Sequence, residues 1–135
     1  MQNMKKINEV EKIIKSMDFE FFGKGEHKID IESFLKKKDS VLLDVRSIEE
    51  TSTVKLVLKN YLPVYEIPLC ELPNELNQLP FDKFIGIFCS SGVRSAIAFA
   101  YLKSKGFANV RMIDGGYSQL MEAVMPGKVF KHINK

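Results

Sequence analysis

At 135 residues, with 45% hydrophobic and 27% charged side chains, the chain has the size and balance of one globular domain. Its 20 Lys and Arg against 17 Asp and Glu leave a net charge of +3, too little to demand a nucleic-acid or membrane partner, although small anions stay open as ligands. No run of residues reaches the length of a membrane span. The opening MQNMKKINEVEKIIKSMDFEFF lacks an apolar signal core and a small-residue cleavage site, so a cytoplasmic setting is expected. In a reducing compartment Cys89, in a polar loop that contains glycine, is expected as a free thiol. His27 and His132 stand far apart with no cysteine-spaced ligand pattern, so neither a metal nor another cofactor is expected.

In chain order, Met4, Ile7, Val10, Ile14 and Met17 recur at helical spacing, which predicts an amphipathic helix over 4–17. DFEFFGKGE reads as a short extended piece that ends at Gly23 and Gly25, and Asp30 caps a short helix that follows. Residues 1–27 are taken as an N-terminal helical extension and 28–135 as the main domain. VLLDV at 41–45 is an apolar run of the kind buried on both faces of a sheet, and VYEIPL at 64–69 is a second strand candidate. ELPNELNQLP predicts a short helix between prolines, and KFIGIFC at 83–89 another strand. A helix over 95–105 ends at Gly106, and NVRMI at 109–113 forms a further strand. DGGYSQLMEAVM turns at Gly115 and Gly116 into the last helix. Strands alternating with helices imply a mainly parallel α/β sheet covered on both faces.

In such sheets ligands bind outside the carboxyl ends of the strands, where Cys89 lies. Ser90, Ser91, Gly92, Val93 and Arg94 bend from a strand end into a helix start, so several backbone N–H groups can turn toward the sulfur. The helix N-terminus and Arg94 favour an anion and should lower the thiol pKa. The predicted product is a thiolate in an anion cradle.

These residues resemble a known family. The ordered landmarks LLDVRSIEE at 42–50, IPL at 67–69, CSSGVRS at 89–95, KGFANV at 105–110 and DGG at 114–116 are similar to those of a single rhodanese-like domain, over roughly residues 28 to 125. The resemblance implies a mainly parallel five-stranded sheet with helices on both faces. It also implies a sulfurtransferase in which Cys89 takes sulfane sulfur from thiosulfate or a persulfide donor and passes it to a thiophilic acceptor. The expected partners are a small-molecule sulfur donor and a thiol acceptor, with a protein donor or carrier as a variant of the same chemistry. The N–H groups of 90 to 94 would stabilise the persulfide, and Arg94 would add a fixed charge.

Two other classes stay open. Cysteine phosphatases and arsenate reductases hold an oxyanion in a C-x5-R loop, whereas Cys89 to Arg94 counts as C-x4-R, a tighter ring suited to one sulfur. A non-catalytic binding module with an inert loop is the third reading. The Gly-His-Ile-Pro-Gly-Ala segment common in the family is replaced by TSTVKLVLKNYLPVYE, and Leu120 stands near the place of the family's tryptophan, read as a core substitution.

Each highlighted residue also has a plain structural reading. Cys89 could be a buried strand-end thiol, and Arg94 could pair with a surface carboxylate; the coincidence of loop, arginine and helix start favours the nucleophile and anion contact. Asp44 and Arg46 either line the site or organise the turn, with the structural role preferred, and Arg46 is expected to pair with Glu49 or Glu50. Ser95 is a further candidate on the same terms. Cys70 is a resolving thiol or, by preference, a bystander.

Overall fold

The computed structural model describes residues 2–134, with side chains from residue 9 onward. Five strands, β1 (Lys28–Asp30), β2 (Ser40–Asp44), β3 (Val64–Glu66), β4 (Phe84–Phe88) and β5 (Val110–Asp114), form one sheet in the order β1-β5-β4-β2-β3. Every neighbouring pair is parallel.

The strand sequences explain the layers. Successive side chains point to opposite faces, so Val41, Leu43, Val45, Ile85, Ile87 and Cys89 share one apolar cluster. Leu42, Phe88 and Ile113 belong to the other. Helix α6 (Val93–Ser104) covers the first face with Ala98, Phe99 and Leu102, and α1 (Gln2–Ser16) lies against α6. The second face is covered by α3 (Ile31–Leu35) and α7 (Gly116–Ala123) through Ile31, Phe34, Leu35, Leu120 and Ala123. Leu120 is fully buried there, as a core substitution requires.

Local chemistry sets the element ends. The Asp30 carboxylate accepts the Ser33 N–H at 2.9 Å and caps α3. Ser47 and Glu50 form a reciprocal capping box on α4 (Ile48–Thr53). Strand β3 stops at Glu66 because Pro68 has no N–H to offer. The chain nevertheless stays beside β2, since the Ile67 and Leu69 amides reach the Asp44 and Val45 carbonyls at 3.0 and 3.2 Å.

Two readings of the sequence are corrected. Residues Phe19–Gly23 form a helical turn, α2, rather than an extended piece, because Asp18 accepts the Phe21 N–H at 2.9 Å and starts a helix. The short helix expected between the prolines is α5 (Leu72–Glu75), flanked by tighter three-residue turns, Leu69–Glu71 and Leu76–Gln78. A further helix, α8 (Pro126–Ile133), follows α7, with Pro126 in its first turn. Val10 and Ile14 of α1 are exposed and Met17, just past its end, packs on the core, while Met4 and Ile7 lie outside the described side chains. Among the described residues no helix is long and apolar enough to cross a membrane.

Candidate active site

Cys89 is the first residue past β4, and the loop 90–92 joins it to α6. The thiol is 2% exposed. Its Sγ accepts the Gly92 N–H at 3.0 Å and the Ser95 N–H at 3.4 Å, and it lies 3.4 Å from Ser95 Oγ. The Ser95 hydroxyl can turn its one proton to the sulfur or to the Gly92 carbonyl, 3.1 Å away. Gly92, at φ +90°, makes the left-handed step into the helix that aims these amides inward. Burial pushes the Cys89 pKa up, but hydrogen bonds from the Ser95 hydroxyl and from the Ser95, Ser91 and Gly92 amides outweigh it and hold the thiol below its ordinary value.

A second loop closes the site. Gly115, between β5 and α7, and Gly116, the first residue of α7, both have positive φ. A Cβ on Gly116 would meet the Ser90 carbonyl oxygen at 2.7 Å, so only glycine lets the two loops come this close. Between them lies a cavity of about 390 Å³, lined by Cys89, Ser91, Gly92, Ser95 and, from the other side, Met112, Asp114 and His27.

The candidates separate into those at the sulfur and those away from it. Ser90, Ser91, Gly92 and Ser95 line the cavity with Cys89. Val93 contributes the start of α6, but its side chain is 64% exposed and stands outside the cavity. Arg94 takes its plain alternative. Its guanidinium, which is not part of the cavity lining, donates to both Glu50 carboxylate oxygens and from Nη2 to Ser90 Oγ at 3.0 Å, and its charge still acts on that of Cys89. Glu50 is held at about 2, first by the Arg94 hydrogen bonds and then by Ser47.

Asp44 and Arg46 sit on the opposite face of the sheet from Cys89, as strand alternation requires, and do not line the cavity. Arg46 pairs with Asp44, not with Glu49 or Glu50. Its Nε and Nη2 donate to the two Asp44 oxygens at 2.9 and 2.7 Å, Nη2 also to the Val54 carbonyl at 2.8 Å, and Nη1 to Tyr117 Oη at 2.7 Å. Both side chains are fully buried, and the guanidinium also faces the rings of Phe88 and Tyr117. Cys70 is exposed, and no residue of the TSTVKLVLKNYLPVYE segment reaches the Cys89 cavity.

His27 was missed by reading the chain linearly, because it lies far from Cys89 in sequence and joins it only across three strands. The pairing of the segment after it with β5 is the signal that brings it there. The His27 carbonyl accepts the Met112 amide at 2.8 Å.

A cysteine recessed in amides, at the carboxyl edge of a five-stranded parallel sheet, is the arrangement against which known proteins can be compared. The rhodanese-like domain family model matches residues 29–123, and the chain belongs to that family. A sulfurtransferase of Allochromatium vinosum is 31% identical over 94 residues, covering 67% of this chain and 83% of that protein. A tRNA sulfurtransferase of Psychromonas ingrahamii is 30% identical over 100 residues, 72% of this chain and 20% of its own length, so the chain spans about a fifth of that relative. A solved rhodanese-related protein from Thermoplasma volcanium superposes with a TM-score of 0.58 at 28% identity, over 74% of this chain and 95% of that one.

Proposed function

We propose that the chain is a sulfurtransferase that carries sulfane sulfur as a Cys89 persulfide. The observation that carries this reading is the cradle itself, in which Gly92 and Ser95 direct two amides and a hydroxyl at one sulfur whose pKa is lowered. With thiosulfate as donor, the Cys89 thiolate attacks the outer sulfur, the new S–S bond forms as the donor's S–S bond breaks, and sulfite leaves with the bonding electrons. The negative charge that remains on the outer sulfur is stabilised by the helix start. Transfer to an acceptor thiol reverses the logic, with the acceptor sulfur attacking the outer sulfur and Cys89 departing as thiolate. The relatives named sulfurtransferases support the same class.

The phosphatase and arsenate reductase readings are weakened by two observations. The loop is one residue short, and the Arg94 guanidinium that would clamp an oxyanion is engaged by Glu50 outside the cavity. The test is intact mass spectrometry after thiosulfate or persulfide treatment of the wild type, Cys89→Ser and Cys70→Ser. The expected result is one added sulfur atom, lost only in Cys89→Ser. No gain from any sulfane donor overturns the reading.

A further inference from the structure

The cavity beside Cys89 is much larger than one sulfur needs. At about 390 Å³ it has room for about a dozen waters at roughly 30 Å³ each. It extends from Cys89 past Met112 on β5 to His27 and Lys28 at the edge strand β1. Lys28 is level with Met112, and Met112 with Ile87 on β4, so the far end lies two strands from the nucleophile's strand, about 10 Å away at ordinary strand spacing.

The groups at that end are of both charges and only loosely engaged. Lys28 Nζ lies 3.7 Å from an Asp114 carboxylate oxygen, too far for a hydrogen bond, and the two side chains are 51% and 60% exposed. Arg111, the other cation nearby, is tied by Nη1 to the Gly25 and Lys28 carbonyls. His27 is wedged beside Phe22, with ring centroids 5.0 Å apart, and its Nδ1 is buried without a partner among the described residues. A proton on Nδ1 would be stranded there, which favours the tautomer with the proton on Nε2. Burial first, then Lys28 and Arg111 against Asp114, hold the His27 pKa below its ordinary value, so the ring stays neutral and offers a donor.

We infer that the Lys28, Asp114 and His27 end of the cavity binds the zwitterionic head of a small aminothiol persulfide or thiol of cysteine size, with its carboxylate on Lys28 and His27 and its ammonium on Asp114. This deepens the sulfur-carrier reading and rests on it. The span fits, because an outer sulfur about 2 Å from Sγ followed by a short carbon chain brings the charged head to the far end. In the reaction the Cys89 thiolate attacks the outer sulfur of R–S–SH. The Sγ–S bond forms as the donor S–S bond breaks, the electron pair leaves on RS⁻, and the proton stays on the transferred sulfur. No outside oxidant or reductant is needed.

The test uses unreactive thioethers, so it reads binding whether or not sulfur moves. Alkylation of Cys89 by iodoacetamide is followed in the presence of S-methylcysteine, 3-(methylthio)propionate, 2-(methylthio)ethylamine or 2-(methylthio)ethanol. Each rate is normalised to the same protein without additive. S-Methylcysteine is expected to protect at concentrations at least about ten-fold lower than the other three. Asp114→Asn should erase the gain due to the ammonium, and Lys28→Met the gain due to the carboxylate. Equal protection by all four thioethers, or a ranking that both variants leave intact, overturns the inference while the carrier reading stands. Failure of Cys89 to gain sulfur in the mass measurement sinks the carrier reading and leaves the thioether ranking readable.

Discussion

Glu50 and Arg94 join two segments 44 residues apart, with Arg94 Nη2 donating to Glu50 Oε2 at 3.0 Å and Nη1 to the other carboxylate oxygen. The same carboxylate accepts the Ser47 amide and hydroxyl at 3.1 and 2.8 Å. One side chain therefore fastens the start of α4 to the start of α6, beside the sulfur cradle.

The Glu50 pKa is depressed to about 2 from its ordinary 4.5. Because the folded value is the lower one, the stability this contact contributes is fully present above about 4.5 and is lost as pH falls toward 2. Glu50→Gln should cost about 1 kcal/mol at neutral pH, given partial exposure. Denaturation midpoints measured against pH should show the gap between wild type and variant closing from pH 4.5 to 2. A constant gap would place the contribution elsewhere.

Ser95 is the largest single influence holding the Cys89 thiol down against burial. In Ser95→Ala the amide at 3.4 Å remains while the hydroxyl at 3.4 Å is gone. Loss of one hydrogen bond worth about 1 kcal/mol lowers reactivity about five-fold at neutral pH. Plotted against pH, the rate of Cys89 alkylation should rise at higher pH in the variant than in the wild type. Superimposable profiles would remove Ser95 from the cradle.

Gly116→Ala places a methyl group against the Ser90 carbonyl at a backbone φ of +56°. The expected cost is about 1–3 kcal/mol, read as a lower urea midpoint. Because Ser90 adjoins Cys89, sulfur loading should slow as well. A variant that is destabilised yet loads at the wild-type rate would show that the two loops are coupled in stability alone.

Removing one partner of the buried pair leaves the other charge stranded, so Arg46→Met should cost about 3–5 kcal/mol. Asp44 is fully buried, and Tyr117 and Val54 would also lose a donor. Arg46→Lys should recover little, since one ammonium cannot reproduce the fork that meets both Asp44 oxygens. Urea unfolding checks both. A midpoint for Arg46→Met within experimental error of wild type would refute the buried-charge account.

The strands, the helical cover on both faces of the sheet and the place of Cys89 at a strand end were legible because they follow from local patterns: short apolar runs, a glycine that ends a helix, and a cysteine between strand and helix. The cap at Asp30 was equally local. What escaped depends on tertiary placement. Arg46 has acidic residues at 44, 49 and 50 within reach in sequence, and only strand alternation decides that Asp44 is its partner while Glu50 is left for Arg94. His27 enters the cavity just ahead of a three-residue edge strand, too short to show a period of its own. The helix at Phe19–Gly23 is a single turn set by the Asp18 cap, and its aromatic content resembles that of a strand.

The depth of Cys89 has a consequence for which sulfur an incoming thiol can strike. Attack on the inner atom of a persulfide would expel hydrosulfide and leave the partner joined to the enzyme as a mixed disulfide, an unproductive end. At 2% exposure the inner atom is walled in by the loop and α6, whereas the outer atom would stand about 2 Å nearer the opening. For a persulfide carried on Cys89, as proposed, the recess would act as a regiochemical filter, giving up the cargo and withholding the anchor.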